Sequence, residues 1–119
     1  MGGDQEGGVE QREIKEEIMA ILFRLHAKAH QEFIEAFEWY ELRQEGLGHR
    51  FMDNVESRLH QISLHPEYYG KHYSNFRQVK VEGFPYMIVY EFFPRKKVIH
   101  ILAIYHQRRQ TKGRYRRMR

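Results

Sequence analysis

The spacing of apolar residues changes between residues 64 and 76 of this chain, and that change restricts the fold more than any other feature. From residue 27 to residue 64 the apolar residues recur every three or four positions, which is the period of an amphipathic helix. From residue 76 they fall into short runs rich in β-branched and aromatic residues, a pattern typical of strands. The sequence therefore predicts helices followed by strands, which is an α+β domain.

Two helices are predicted in the first half, over residues 27–45 and 49–64. Gly46 and Gly48 separate them, because glycine tolerates the left-handed conformation that ends a helix. Pro66 then ends the second helix, since proline disfavours helical geometry in the residue before it. So short a link predicts an antiparallel helical hairpin, which would cover one face of a sheet.

The predicted sheet combines a strand at the start of the domain with a meander near its end. The first strand is the apolar run at residues 18–25, and turn signals divide the later strands. Those later strands are 76–82, 86–93 and 98–106. Short links between them predict a three-stranded antiparallel meander.

Composition limits the classes of function. The chain has 119 residues, which suits one domain, and it has no cysteine, so disulfide scaffolds, thiol catalysis and thiolate zinc sites are excluded. No apolar run reaches the roughly 20 residues that span a bilayer, and the start lacks the pattern of a signal peptide. A cytoplasmic protein that does not enter membranes is expected.

Charge is distributed unevenly along the chain. Residues 1–17 have a net charge of −4 and few large apolar side chains, so they are predicted to form a flexible acidic extension to a domain at 18–119. Residues 95–119 hold ten Lys or Arg and no acid. Such a basic end predicts a polyanionic partner or an acidic protein partner.

Four segments carry a resemblance to a known family. They are EAFEWYELRQEGLGHRF (35–51), VESRLHQISLHPEYYG (55–70), FRQVKVEGFPYMIVYEF (76–92) and ILAIYHQRR (101–109). In this order and spacing, over about residues 18–117, the chain resembles the RelE/ParE toxin superfamily. These are the toxins of type II toxin-antitoxin modules, often described as plasmid stabilisation proteins.

The resemblance implies a RelE/ParE-like α+β fold, with the helical hairpin packed on the sheet, and a cognate antitoxin as partner in a hetero-oligomer. It implies no cofactor. ParE-like members inhibit DNA gyrase, and this activity is the first expectation. RelE-like members are metal-independent endoribonucleases that cut messenger RNA on the ribosome, which is the alternative. A relative that binds antitoxin without being toxic is the third possibility, because the fold alone does not choose the activity.

If the chain is a ribonuclease, the resemblance directs attention to His106, Arg77 and Lys80. RNA cleavage by a 2′-hydroxyl needs a proton acceptor, a proton donor and cations near the phosphate. His106 could act as acid or base, because imidazole is the side chain that exchanges protons most readily near neutral pH. Arg77 and Lys80 are three residues apart, so on a regular strand they point to opposite faces.

The basic end supplies the candidates for binding nucleic acid or another target. Its cations would attract phosphate groups or acidic antitoxin side chains, and its aromatic residue could stack on a base. A flexible solubilising end is the alternative interpretation. The candidate residues are Arg108, Arg109, Lys112, Arg114, Tyr115, Arg116 and Arg117.

Other conspicuous residues are predicted to be structural. His26 and His30 have the spacing of helical metal ligands, but no third ligand is identifiable, so no metal site is expected. Trp39 is predicted to pack in the core or the hairpin. Tyr105 is predicted to pack beneath a helix.

Overall fold

The computed structural model describes residues 22–108. In this part of the chain a strand is followed by two helices and then by four strands. The elements are β1 (Leu22–Leu25), α1 (Ala27–Arg43), α2 (Leu47–Leu64), β2 (Lys71–Tyr73), β3 (Phe76–Lys80), β4 (Tyr86–Phe93) and β5 (Val98–His106).

The five strands form one mixed sheet in the order β1-β5-β4-β3-β2. β1 runs parallel to β5 and the other neighbours are antiparallel, with β4 at the centre between β5 and β3. Both helices contribute to a core on one face, which we call the near face. The predicted α+β fold with a helical hairpin on a sheet is confirmed.

Some predicted boundaries differ from those observed. α1 ends at Arg43 and α2 begins at Leu47, because Gly46 has a φ of 87° and itself forms the N-cap of α2. The predicted strand at 18–25 is observed from residue 22, and its first four residues lie outside the described part of the chain. In the part that the structure describes, no helix combines the length and the apolar character needed to cross a bilayer.

The strand β2 was not predicted. Its three residues are all exposed, so its sequence lacks the alternation of apolar and polar residues that marks a strand with one buried face. Antiparallel pairing with β3, across an irregular register, defines it instead.

The near-face core is centred on Phe51, which is fully buried. Its ring lies 5.0 to 5.9 Å from four other aromatic rings, those of Phe33, Tyr40, Phe84 and Tyr86. α1, α2 and the start of β4 therefore meet at one side chain.

The opposite face, which we call the far face, carries its own cluster of five buried residues. These are Phe76, Val89, Leu102, Ala103 and Tyr105. The Tyr105 hydroxyl accepts a hydrogen bond from Gln78 Nε2 at 2.6 Å. Tyr105 therefore packs on the face away from both helices, and the prediction that it lies beneath a helix was wrong.

The carboxylate of Glu41 binds the link between the two helices and the start of α2. Glu41 accepts hydrogen bonds from the backbone N–H groups of Gly46 at 2.8 Å and Gly48 at 2.9 Å, and its Oε1 lies 3.4 Å from His49 Nδ1. These interactions lower the pKa of Glu41, with the bond from Gly46 as the largest cause. The two helix ends are thus held together by one side chain.

Candidate functional site

A groove of about 620 Å³ lies between α1 and the adjoining ends of β4 and β5. Its lining includes Glu32, Glu35 and Trp39 from α1, Tyr86 from β4 and His106 from β5. The groove therefore combines carboxylates, aromatic rings and one imidazole. Glu32, Glu35 and Trp39 follow a spacing of three and four along the helix, which is a signal for one shared face that the sequence already contained.

His106 is the only ribonuclease candidate in this groove. Its ring meets the ring of Tyr86 edge-on at 5.2 Å, and its Nδ1 accepts a hydrogen bond from the Arg108 N–H at 3.1 Å. A neutral imidazole that accepts at Nδ1 carries its proton on Nε2. Nε2 is thus the atom through which the neutral ring could donate a proton.

Glu32 contacts the last part of β5, which extends beyond its pairing with β1. β1 pairs with β5 only as far as Ile101, and beyond that point Glu32 Oε1 accepts a hydrogen bond from the Ile104 N–H at 3.1 Å. This contact satisfies a backbone donor that a longer β1 would have paired. It also fixes one carboxylate of the groove.

Trp39 is half exposed and lies at the groove, so the prediction that it packs in the core or the hairpin was wrong. The Arg43 guanidinium carbon lies 3.8 Å from the centre of its ring, which is a cation–π contact within one helix. The next residue, Tyr40, packs against the near-face core instead. An exposed aromatic ring that already holds a guanidinium is suited to cationic groups.

Arg77 is engaged in holding a loop. Its guanidinium Nη1 donates to the carbonyl oxygens of Tyr69 at 2.5 Å and Glu67 at 3.2 Å, in the segment between α2 and β2. Tyr90, opposite Arg77 on β4, donates to the Pro66 carbonyl oxygen of the same segment at 2.7 Å. Burial raises the pKa of Tyr90, and the nearby Arg77 charge opposes that rise only in part.

Lys80 lies apart from both Arg77 and His106 on the sheet. β3 pairs with β4 in continuous register from Arg77 to Lys80, so strand alternation places Lys80 on the far face and Arg77 on the near face. Arg77 lies opposite Tyr90 and His106 opposite Tyr86. Those rows are four residues apart, or about 13 Å along the strands. The three ribonuclease candidates are therefore not brought together.

We predict that the hydrogen bonds of Arg77 to the loop stabilise the folded domain. Arg77→Met keeps most of the aliphatic stem but removes both hydrogen bonds to the loop, so the free energy of unfolding should fall by about 1.5–3 kcal/mol. Lys80→Met, at an exposed position of the same strand, is the matched control and should change it by less than about 0.5 kcal/mol. Urea unfolding followed by circular dichroism measures both variants, and equal effects would contradict the assignment.

Of the candidates for target binding in the basic end, the structure describes only Arg108. Arg108 is exposed just after β5. The other candidates for target binding, Arg109, Lys112, Arg114, Tyr115, Arg116 and Arg117, lie outside the described residues, so their role stays a prediction.

His26, one of the two histidines considered as metal ligands, has a structural role. His26 forms the N-cap of α1, where its Nδ1 accepts a hydrogen bond from the Lys28 N–H at 3.0 Å. Its ring lies 6.0 Å from that of His100, whose pKa is lowered mainly by burial and also by His26. Over residues 22–108 no three His, Asp or Glu side chains are grouped so that they could hold a metal ion.

Comparisons with known proteins bear on the whole domain. The chain matches a solved structure described as a chromosomal ParDE TA system from P. aeruginosa with a TM-score of 0.61 and 14% sequence identity, covering 74% of this chain and 97% of that one. That likeness shows the fold. No curated protein gave a significant match. The model of the family described as the ParE toxin of the type II toxin-antitoxin system, parDE, matches residues 23–111.

This match spans β1 to the end of β5 and most of the chain. It confirms the superfamily that the four sequence segments indicated. The chain therefore belongs to the ParE toxin family of type II toxin-antitoxin systems.

Proposed function

We propose that the chain is a growth-inhibiting toxin that acts on DNA gyrase and is neutralised by a cognate antitoxin. The single observation that carries the choice of target is the separation of His106, Arg77 and Lys80. A ribonuclease needs its proton-transfer group and its cations around one phosphate. Here Arg77 holds a loop and Lys80 belongs to the other face of the sheet.

Membership of the ParE family supports the antitoxin as partner. The proposed contacts with the target or with acidic antitoxin side chains are the bases that follow β5, from Arg108 onward. Their charge suits an acidic protein surface or a nucleic acid held by the target. Binding through such contacts should weaken as the salt concentration rises.

One observation favours the ribonuclease as a second candidate. His106 lies in an open groove with Glu32 and Glu35, and its Nε2 can donate a proton. A histidine beside carboxylates is a combination that acid–base catalysis uses. The cations for the phosphate would then have to come from the residues after Arg108.

The two candidates are separated by assays on the purified chain. Gyrase supercoiling of relaxed plasmid should be inhibited, messenger RNA on translating ribosomes should stay intact, and His106→Ala should retain the inhibition. His60→Ala, an exposed histidine on α2, is the control. Cleavage of messenger RNA that is lost in His106→Ala and kept in His60→Ala would select the ribonuclease. Growth unaffected by induced expression of the unaltered chain would select the non-toxic relative.

A further inference from the structure

The groove between α1 and the ends of β4 and β5 has a lining that is both acidic and aromatic. One wall is a single face of α1 that runs from Glu32 to Trp39, a length of about 10 Å along the helix. The volume of about 620 Å³ lies in the range of ligand sites. Among the described residues that line the groove, two are carboxylates and none is a lysine or an arginine. Their charge favours a cationic occupant.

Both carboxylates accept hydrogen bonds from uncharged donors. Glu32 Oε1 accepts from the Ile104 N–H at 3.1 Å, and Glu35 Oε1 accepts from Gln31 Nε2 at 3.0 Å. These two bonds orient the carboxylates without cancelling their charge. A carboxylate can accept several hydrogen bonds at once, and a guanidinium presents five donors in a planar fork that matches it. The acidic wall is therefore better suited to arginine than to a compact ammonium group.

Aromatic rings complete the lining. Trp39 is 50% exposed, and the Arg43 guanidinium carbon lies 3.8 Å from the centre of its ring. Arg43 is not one of the described residues that line the groove, so this contact is a precedent within the chain for a guanidinium on that ring. Tyr86 also lines the groove, with the His106 ring edge-on to it. A planar guanidinium stacks on aromatic faces, which adds to its attraction by the carboxylates.

We propose that this groove binds an arginine side chain presented by a protein partner. Glu32 and Glu35 accept hydrogen bonds from the guanidinium, and Trp39 supplies the ring on which it stacks. RNA is the poorer fit, because two carboxylates repel phosphate groups. The inference rests on the proposed function only in taking a protein as the partner. It is the same whether gyrase or messenger RNA is the target.

The tryptophan of the groove can report the binding. Trp39 is the only tryptophan in the chain, so its indole N–H gives a single NMR signal. At low salt the peptide acetyl-Ala-Arg-Ala-amide should shift this signal saturably, and the matching lysine peptide should bind several-fold more weakly. The matching glutamine peptide should give no saturable shift. Equal shifts with the arginine and glutamine peptides, or none with the arginine peptide, would overturn the proposal.

Two further outcomes would also count against it. Equal affinity for the arginine and lysine peptides would contradict the role given to the guanidinium. A uridine trinucleotide that shifted the Trp39 signal at a lower concentration than the arginine peptide would overturn the proposal in favour of RNA.

Substitutions locate the binding within the groove. Glu35→Gln should weaken the arginine peptide about two- to fivefold, the range for an ion pair open to water. Glu38→Gln makes the same change of charge on α1, at an exposed position that does not line the groove, and should leave the affinity unchanged. Equal weakening in both variants would contradict the proposal.

Trp39→Leu tests the ring. With binding followed by the amide signal of Ala36, which lines the same groove, the affinity should fall several-fold. An unchanged affinity would contradict the role given to Trp39. None of these measurements contains gyrase or antitoxin, so their failure would leave the proposed function standing.

Discussion

Phe51→Ala is expected to lower the free energy of unfolding by about 3–5 kcal/mol, the range for removing a buried aromatic side chain. Phe51 is fully buried and lies within 6 Å of four other rings contributed by α1, the β3–β4 turn and β4. Neighbours that are fixed in three elements cannot move together to fill the space. A domain of this size has about 5–15 kcal/mol of stability in total, so this loss is a large share of it.

Urea unfolding followed by far-ultraviolet circular dichroism measures the change. Leu42→Ala is the matched control, because Leu42 is a helical leucine that is 87% exposed. It should change the free energy of unfolding by less than about 0.5 kcal/mol. If both variants lost similar stability, the core would not be centred on Phe51.

Gly48→Ala is expected to destabilise the chain by about 1–3 kcal/mol, as other insertions into a closely packed site do. A β-carbon at this position would lie 2.6 Å from the Phe37 carbonyl oxygen and 2.9 Å from Glu41 Oε1. The carbonyl belongs to the backbone of α1, so the two helices would have to move apart. That movement would also lengthen the bond from the Gly48 N–H to Glu41.

Gly70→Ala separates this steric effect from the general effect of replacing glycine. No heavy atom lies within 4 Å of a β-carbon placed at Gly70, and its φ is not in the left-handed region. That variant should be neutral or slightly stabilising, because alanine reduces the freedom of the unfolded chain. A loss of stability in both variants, as measured by thermal unfolding, would contradict the close approach of the helices at Gly48.

The regular elements could be predicted because their signals are local. Each segment contains the periodicity that predicts its element. The structure has a helix where the apolar stripe ends before Pro66, and strands at the β-branched runs 86–93 and 98–106. β2 could not be predicted in this way, because its residues are exposed and its pairing partner defines it. Parallel pairing of β1 with β5 is likewise a long-range property that no short window contains.

The candidate site was predictable in its parts and less so in its arrangement. His106 was identified by its position at the end of the last strand, and it does line a groove. The groove's carboxylates and Trp39 come from α1, which meets β5 only through the tertiary fold. The role of Arg77 depends on the path of the loop at 65–70, and no residue pattern gives that path in advance.

The strand order has a consequence for the order of events during synthesis. β5, residues 98–106, is an interior strand of the sheet, with β4 on one side and β1 on the other. The ribosome makes this strand after all the other described elements, so β1 and the near-face helices are complete before the strand they pack against exists. The native sheet therefore cannot close on a growing chain before residue 106 has been translated.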